Sequence, residues 1–447
     1  MANIIKIKRG LNIPISGQAD ASRIEQCTPA YCGIVPDDFP GYKWKCVVAE
    51  GDAVLSGSPL LCAKENPEIA LVSPVAGTVK AINRGERRHI LSVVVEASKA
   101  KSDYVKFPIP SLFKDEEGRR ELLNLLSTSG ILAFIRQRPY DIVPSADVLP
   151  RDIFVTAFDS APLAAEMVTE DMYPALERGL AALASLTDGR VYLGIPYDSA
   201  ITSRAADVNE FDGPHPAGNA GVQAAAIKPV NKGETIWTLD ARTAVRIGRL
   251  VTTGVLDMSA EVAVTGPEAE KPCVIHTLFG AAMVGLLKGH LPQNDKHLRI
   301  ISGNVLTGVR VKEDGFLRYP YRQVTILEEG DDADEFMGWA SLNPKKYSVK
   351  RSFLSRLGKK LHFDARVRGG VRAPILSGEY DKVFPMDIYP EFLLKAAEAG
   401  DIDKMEQLGI YEVAPEDFAL AEFVDTSKRP LQQIIRRALT DLHKELS

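Results

Sequence analysis

The chain has 447 residues, of which 45% are hydrophobic and 25% charged, with a formal net charge of -5. That length suits about three to four globular domains, and the slight acidic balance speaks against nucleic acid as a partner. The longest apolar run, Leu278 to Leu287, is about half the roughly 20 residues of a membrane-spanning helix.

Met1 to Gly17 carries Lys6, Lys8 and Arg9 but no apolar stretch, so no secretory signal is expected. Residues 1–105 read as short β-strands. Glu50-Gly51-Asp52 leads through Gly57 to Leu60-Leu61, and Ser73-Pro74-Val75-Ala76-Gly77-Thr78-Val79 follows. Short apolar runs punctuated by Gly-Asp, Asn-Pro and Ser-Pro are hairpin grammar. "EGDAVLSG" with a later "SPVAGTV" resembles a lipoyl-like barrel-sandwich domain, in which the intervening hairpin tip carries a modified lysine. Here that tip is Lys64-Glu65-Asn66-Pro67, without the carrier context, so the fold is expected to serve as structure.

From Asp115 the hydrophobic period changes. Leu122, Leu125 and Leu126 form one helical face, stopped by Gly130. Ile153 to Ala157 reads as a strand, Pro174 to Leu186 as a helix and Arg190 to Ile195 as the next strand. This βαβ spacing predicts a parallel or mixed sheet, in a Rossmann-like α/β domain over 106–255. A helix is expected over Ala241 to Thr253, with Ala244, Val245, Gly248 and Val251 facing inward.

Residues 256–332 read as a β-grasp (SLBB-like) domain. Strands are expected at Ser259 to Val264 and Pro272 to His276, then a Gly-rich helix at Gly280 to Lys288. Gly308 to Lys312, Glu313-Asp314-Gly315 and Phe316 onward read as a hairpin turned by Asp-Gly. Glu328 to Asp332 reads as an acidic linker, and Lys350, Arg351, Arg356, Lys359 and Lys360 as a basic linker or docking face. Residues 333–447 are expected to form a helical domain, with helices at Pro390 to Ala399, Ile402 to Leu408 and Leu431 to Leu446. The fold class is thus α/β multidomain.

Catalytic constellations are absent from the sequence: no G-x-G-x-x-G, Walker loop, H-E-x-x-H or G-x-S-x-G occurs. His215 and His276 stand out among the histidines but read as ordinary core or surface residues. Cys27, Cys32, Cys46, Cys62 and Cys273 form no CxxC pair and no disulfide framework, and they read as free thiols. No metal site and no catalytic residue is expected.

Several segments in fixed order carry a family resemblance: "IIKIKRGLNIPISG" at Ile4 to Gly17, "SPVAGTV" at Ser73 to Val79, and "PLAAEM" ending at Met167. "HPAGNAG" at His215 to Gly221, "RIGRLVTTG" at Arg246 to Gly254 and "EDFALAEFVDTSK" at Glu416 to Lys428 continue the series. Over the whole length, the chain resembles the A-subunit family of bacterial Na+-translocating NADH:quinone reductases (NQR). More distantly it resembles the C subunit of the Rnf complex and the flavin subunit of respiratory complex I.

The resemblance implies membership of the six-subunit Na+-pumping NADH:ubiquinone oxidoreductase, a respiratory-chain translocase. The chain would sit at the cytoplasmic face of the bacterial inner membrane, peripheral, held by the membrane subunits. It would serve ubiquinone reduction and sodium transport without being catalytic alone. Flavin-binding relatives hold FMN in a glycine-dense loop, because glycine lets backbone approach phosphate. Gly130 to Tyr140 has one glycine here, so FMN is expected to be absent. The relatives' iron–sulfur ligands are cysteines in the helical tail. No cysteine follows Cys273, so no Fe–S cluster is expected there. A quinone pocket needs apolar and aromatic walls with a few donors, for which Tyr31, Phe134, Arg136, Arg138 and Tyr140 are the candidates. The alternatives are a purely structural adaptor of a respiratory complex and an NADH/FMN dehydrogenase module.

Overall fold

The computed structural model describes residues 3–98, 103–331, 347–349 and 360–446. Of the basic cluster, Lys350, Arg351, Arg356 and Lys359 lie outside them, as does Asp332 of the acidic run.

Two antiparallel sheets make the barrel-sandwich. One holds Tyr31–Ile34, Ile90–Ala97, Gly77–Arg84 and Ala53–Val54 in that order; the other holds Trp44–Cys46, Pro59–Ala63 and Ala70–Val72. Val79, Val93 and Val95 share one core with Leu60, Leu61 and Ile69. Lys64 to Pro67 forms the tip between the second sheet's last two strands.

Five parallel strands and one antiparallel edge form the α/β sheet. Their order is Asn3–Lys6, Asp207–Asp212, Val191–Pro196, Asp152–Thr156, Ile236–Asp240 and, antiparallel, Arg136–Arg138. Side chains alternate across a strand. Ile153 and Val155 therefore join the core of helices Tyr173–Ser185 and Ala241–Thr253, while Phe154 meets Ala224 of helix Ala220–Ile227 on the other face. Ala244, Val245, Gly248 and Val251 are buried as their spacing predicts.

The two long helices touch backbone to backbone. A Cβ on Gly248 would fall 1.8 Å from the Ala175 carbonyl oxygen, and one on Gly179 1.9 Å from that of Ala244. Gly248→Ala is expected to force them apart and cost about 1–3 kcal/mol. Denaturant unfolding checks this: an unchanged midpoint would refute the contact.

A second six-stranded sheet holds Val309–Val311, Leu298–Ser302, Gln323–Glu328, Ser259–Thr265, Cys273–Leu278 and Asp20–Gln26 in order. Helices Pro390–Ala399, Ile402–Gln407, Ala419–Val424 and Leu431–Leu446 pack their apolar faces into a further core.

Three expectations differ from what is found. A boundary at residue 105 assigns the N-terminal strands to the barrel-sandwich. Instead Asn3–Lys6 pairs with Asp207–Asp212, and Asp20–Gln26 with Cys273–Leu278. A hydrophobic period identifies a strand but not its partner. The Asp-Gly hairpin is also absent. Val309–Val311 pairs back onto Leu298–Ser302, and the chain after Gly315 bonds to Ala281 instead. The expected Gly-rich helix shrinks to Met283–Leu286, since each interior glycine costs a helix about 1 kcal/mol.

Candidate functional site

The connectivity of the α/β sheet creates a crevice. After the central strand Asp152–Thr156 the chain builds outward through Val191–Pro196 and Asp207–Asp212, then returns to the other side with Ile236–Asp240. At such a reversal the loops leaving neighbouring strand ends diverge and leave a gap. A cavity of about 200 Å³ opens there. Thr156, Phe158 and Asp159 line it from one strand end, and Thr238, Leu239 and Asp240 from the other. Gly303, Asn304 and Thr307 close it from the second sheet, together with Tyr319 to Gln323, and Glu416 from the helical tail.

One wall is aromatic. Phe134 and Tyr319 pack edge to face at 4.7 Å between centroids, Phe279 lies 5.2 Å from Phe134, and Phe39 stacks on Tyr319 at 5.2 Å. The Tyr319 hydroxyl donates to the Phe134 carbonyl. Burial raises its pKa well above the usual phenol range, so it stays a neutral donor.

The cations here lack acidic partners. Arg136 donates to the carbonyls of Ala133 at 2.9 Å and Asp38 at 2.7 Å, and its guanidinium lies 5.1 Å from the centre of the Tyr319 ring. Arg322 makes no side-chain hydrogen bond or ion pair among the described residues. Burial pushes its pKa down, while Asp240 and Asp159 pull the other way. Those two carboxylates are themselves engaged. Asp159 accepts from Ala161 N at 2.8 Å, and Asp240 caps helix Ala241–Thr253 by accepting from Thr243 N at 2.7 Å. Two guanidinia and two carboxylates line the cavity, and with Glu416 shifted toward its neutral form the lining is close to balanced.

His215 lies in the same wall. Its Nδ1 is 3.0 Å from the Ser160 hydroxyl, which accepts from Gly218 N at 2.8 Å. Burial pushes the imidazole down to about 4, against a smaller opposing pull from Asp159. Glu416 lines the cleft, where desolvation and the neighbouring Asp417 shift it upward.

Of the residues singled out from sequence, Phe134 and Arg136 meet in this cavity. Arg138 does not line it. Only 1% of its side chain is exposed, and it donates to Asp417 at 2.8 Å, the Glu412 carbonyl at 2.5 Å and Glu416 at 3.3 Å. Tyr140 packs on His443 of the last helix at 4.7 Å, and Tyr31 lies on the barrel-sandwich with its hydroxyl 3.2 Å from Glu96. Tyr319, Tyr321, Arg322, Asp159 and Asp240 were not legible as a site, because single polar residues carry no pattern. The available signal was the set of resemblance segments: "PLAAEM" supplies Ala165 and Met167, and "HPAGNAG" supplies His215 and Gly218 to Ala220.

Family models match three stretches of the chain: 5–98 as the NqrA N-terminal barrel-sandwich hybrid domain, 118–256 as the NqrA second alpha/beta domain, and 261–313 as the NQRA C-terminal domain. The chain is similar to the A subunit of the Na(+)-translocating NADH-quinone reductase of Pasteurella multocida, 35% identical and covering 99% of this chain and 100% of that one. The corresponding protein of Hahella chejuensis is 37% identical with the same coverage. An NAD+-reducing NiFe hydrogenase in the H2-reduced state gives a TM-score of 0.36 at 12% identity, covering 75% of this chain and 63% of that one.

Proposed function

Because this chain belongs to the NqrA family, the A subunits of Na(+)-translocating NADH-quinone reductases, we propose that it serves the quinone side of that complex by holding a ubiquinone ring in the switch-point cavity. The observation that carries this reading is the pair Arg136 and Arg322. Neither forms an ion pair with a carboxylate among the described residues; Arg136 lies over the Tyr319 ring and Arg322 lines the same cavity. A guanidinium only donates, and Arg322, partly buried with no acceptor among the described residues, is held there at a cost. A quinone offers two carbonyl acceptors and a flat apolar face, and it is neutral, as the balance of Arg136 and Arg322 against Asp159 and Asp240 favours.

That balance disfavours a flavin nucleotide, and the loop chemistry agrees. Ile131, Leu132, Ala133 and Ile135 are fully buried, and the amides of Ala133 and Ile135 already bond the carbonyls of Gly130 and Leu132. Those two amides are therefore not available to cradle a phosphate. We read the parallel-sheet unit as a Rossmann-like domain that has lost its flavin, and the chain as carrying no redox centre of its own. It contributes to sodium transport as part of the assembled six-subunit complex, on the cytoplasmic face of the bacterial inner membrane. No helix among the described residues is long and apolar enough to cross a membrane, so the membrane subunits would hold it.

Calorimetric titration of the purified chain with a short-chain ubiquinone analogue tests the reading. Saturable binding near one per chain is expected. Arg322→Met should weaken it about tenfold or more, since a hydrogen bond to a charged donor is worth about 1.5–3 kcal/mol. No saturable binding would leave a structural adaptor, and flavin absorbance in the purified chain would restore the dehydrogenase reading.

A further inference from the structure

Away from the cleft, Asp20–Gln26 forms the edge of the second sheet beside strand Cys273–Leu278, and their register slips between Cys273 and Val274. At this slip Glu25, Cys273 and His290 each present a ligand atom within 4.8 Å of the other two. Cys273 and His290 are buried, and 38% of the Glu25 side chain is exposed.

The hydrogen bonds around them are arranged as supports. His290 Nδ1 lies 3.1 Å from the Lys271 carbonyl oxygen, which can only accept, so Nδ1 carries the hydrogen. Its Nε2 faces Glu25 Oε2 at 3.3 Å, a spacing that either a second ring proton or a metal cation can fill. The other carboxylate oxygen, Oε1, accepts from Arg23 Nε at 3.0 Å and Nη2 at 2.7 Å. A ring N–H anchored on a backbone carbonyl and a carboxylate steadied by a further side chain are the supports that metal-ligating His and Glu carry. The Cys273 sulfur, the soft donor, lies 3.9 Å from the other ring nitrogen, Nδ1, so its side chain must turn toward Nε2 to share an ion with Glu25.

We propose that Glu25, Cys273 and His290 form a binding site for a divalent transition-metal ion, zinc by preference, which clips the N-terminal strand to the β-grasp domain. A thiolate, an imidazole and a carboxylate are a zinc donor set, with ligand bonds of about 2.0–2.3 Å. Donor atoms around a tetrahedral ion then stand about 3.3–3.7 Å apart. The Nε2–Oε2 distance of 3.3 Å already fits that spacing, and closing the triad falls to the Cys273 side chain and to Glu25 on its exposed edge strand. Solvent supplies the remaining position beside Glu25. A thiol ligates a metal as the thiolate, so the ion binds with release of the Cys273 proton.

The test is a titration of the full chain, stripped with a chelator, with Co2+ at pH 7. One ion per chain is expected, with a thiolate-to-cobalt charge-transfer band, release of about one proton per ion, and displacement by Zn2+. Cys273→Ser should remove the band, and Glu25→Gln, on a partly exposed position that leaves the core intact, should weaken binding tenfold or more. A native chain that gives no charge-transfer band overturns the site. So does a band that survives Cys273→Ser, or an affinity unchanged in Glu25→Gln.

Discussion

Arg138→Met is expected to cost about 3–5 kcal/mol of stability, the usual consequence of removing one partner from a buried ion pair. Arg138 sits on the antiparallel edge strand of the α/β sheet, and its guanidinium reaches the tail at Glu412, Glu416 and Asp417. The Arg138 and Asp417 side chains are each 1% exposed. Asp417 Oδ2 also accepts from Ala414 N at 2.8 Å, so the same carboxylate fixes the turn before helix Ala419–Val424. Gly221 leaves room for the guanidinium: a Cβ there would meet Arg138 Nη1 at 2.3 Å. Without Arg138 the Asp417 charge stays buried and unpaired. Adding Asp417→Asn to Arg138→Met should recover a large part of the loss, which chemical denaturation of the two single variants and the double variant measures as a coupling. If the losses simply add, the pair does not hold the tail in place. Because Arg138 lies behind the cavity, any folded fraction of the variant should still bind quinone with ordinary affinity.

What was legible in the sequence follows from which physical signals are local. Helix Ala241–Thr253 shows its inward stripe and its αL stop at Gly254 within a single window, and it forms where expected. The hairpin tip at Lys64 to Pro67 is likewise local. Strand partnership is not. Ile5 pairs with Phe211, and Val274 with Ile24, across some two hundred residues or more, and nothing in either strand names the other. The Asp-Gly turn misleads for the same reason, because the pairing of Val309–Val311 is decided by a strand that precedes it. The cavity is a product of sheet connectivity, so its residues come from widely separated stretches. Arg136 was found through its aromatic neighbour Phe134. Arg322 was missed, because one arginine between a tyrosine and a glutamine resembles any strand end.

Acidification should weaken the fold through His215. Its imidazole is held down at about 4 by burial, and the same group in an unfolded chain titrates near 6.5. Between those values the unfolded chain binds a proton that the folded chain refuses, so stability is complete above about pH 6.5 and falls as the pH drops toward 4. Between pH 7.5 and 4.5 the loss amounts to roughly 2–3 kcal/mol. Glu416, shifted upward in the same cleft, contributes with the opposite sign, since a protonated carboxyl is what its surroundings prefer. The two are separated by comparing the native chain with His215→Gln. The variant keeps the Glu416 response and loses the histidine's, so its unfolding midpoint should fall less on acidification. Parallel pH profiles would show that His215 does not titrate with folding. The same titration reaches the proposed site. At neutral pH the Ser160 hydroxyl can donate to His215 Nδ1, and a protonated ring would instead turn an N–H toward it while adding a third cation to a cavity that now balances Arg136 and Arg322 with Asp159 and Asp240. Quinone affinity measured over the same pH range should therefore decline with native stability, and in His215→Gln it should hold level to lower pH.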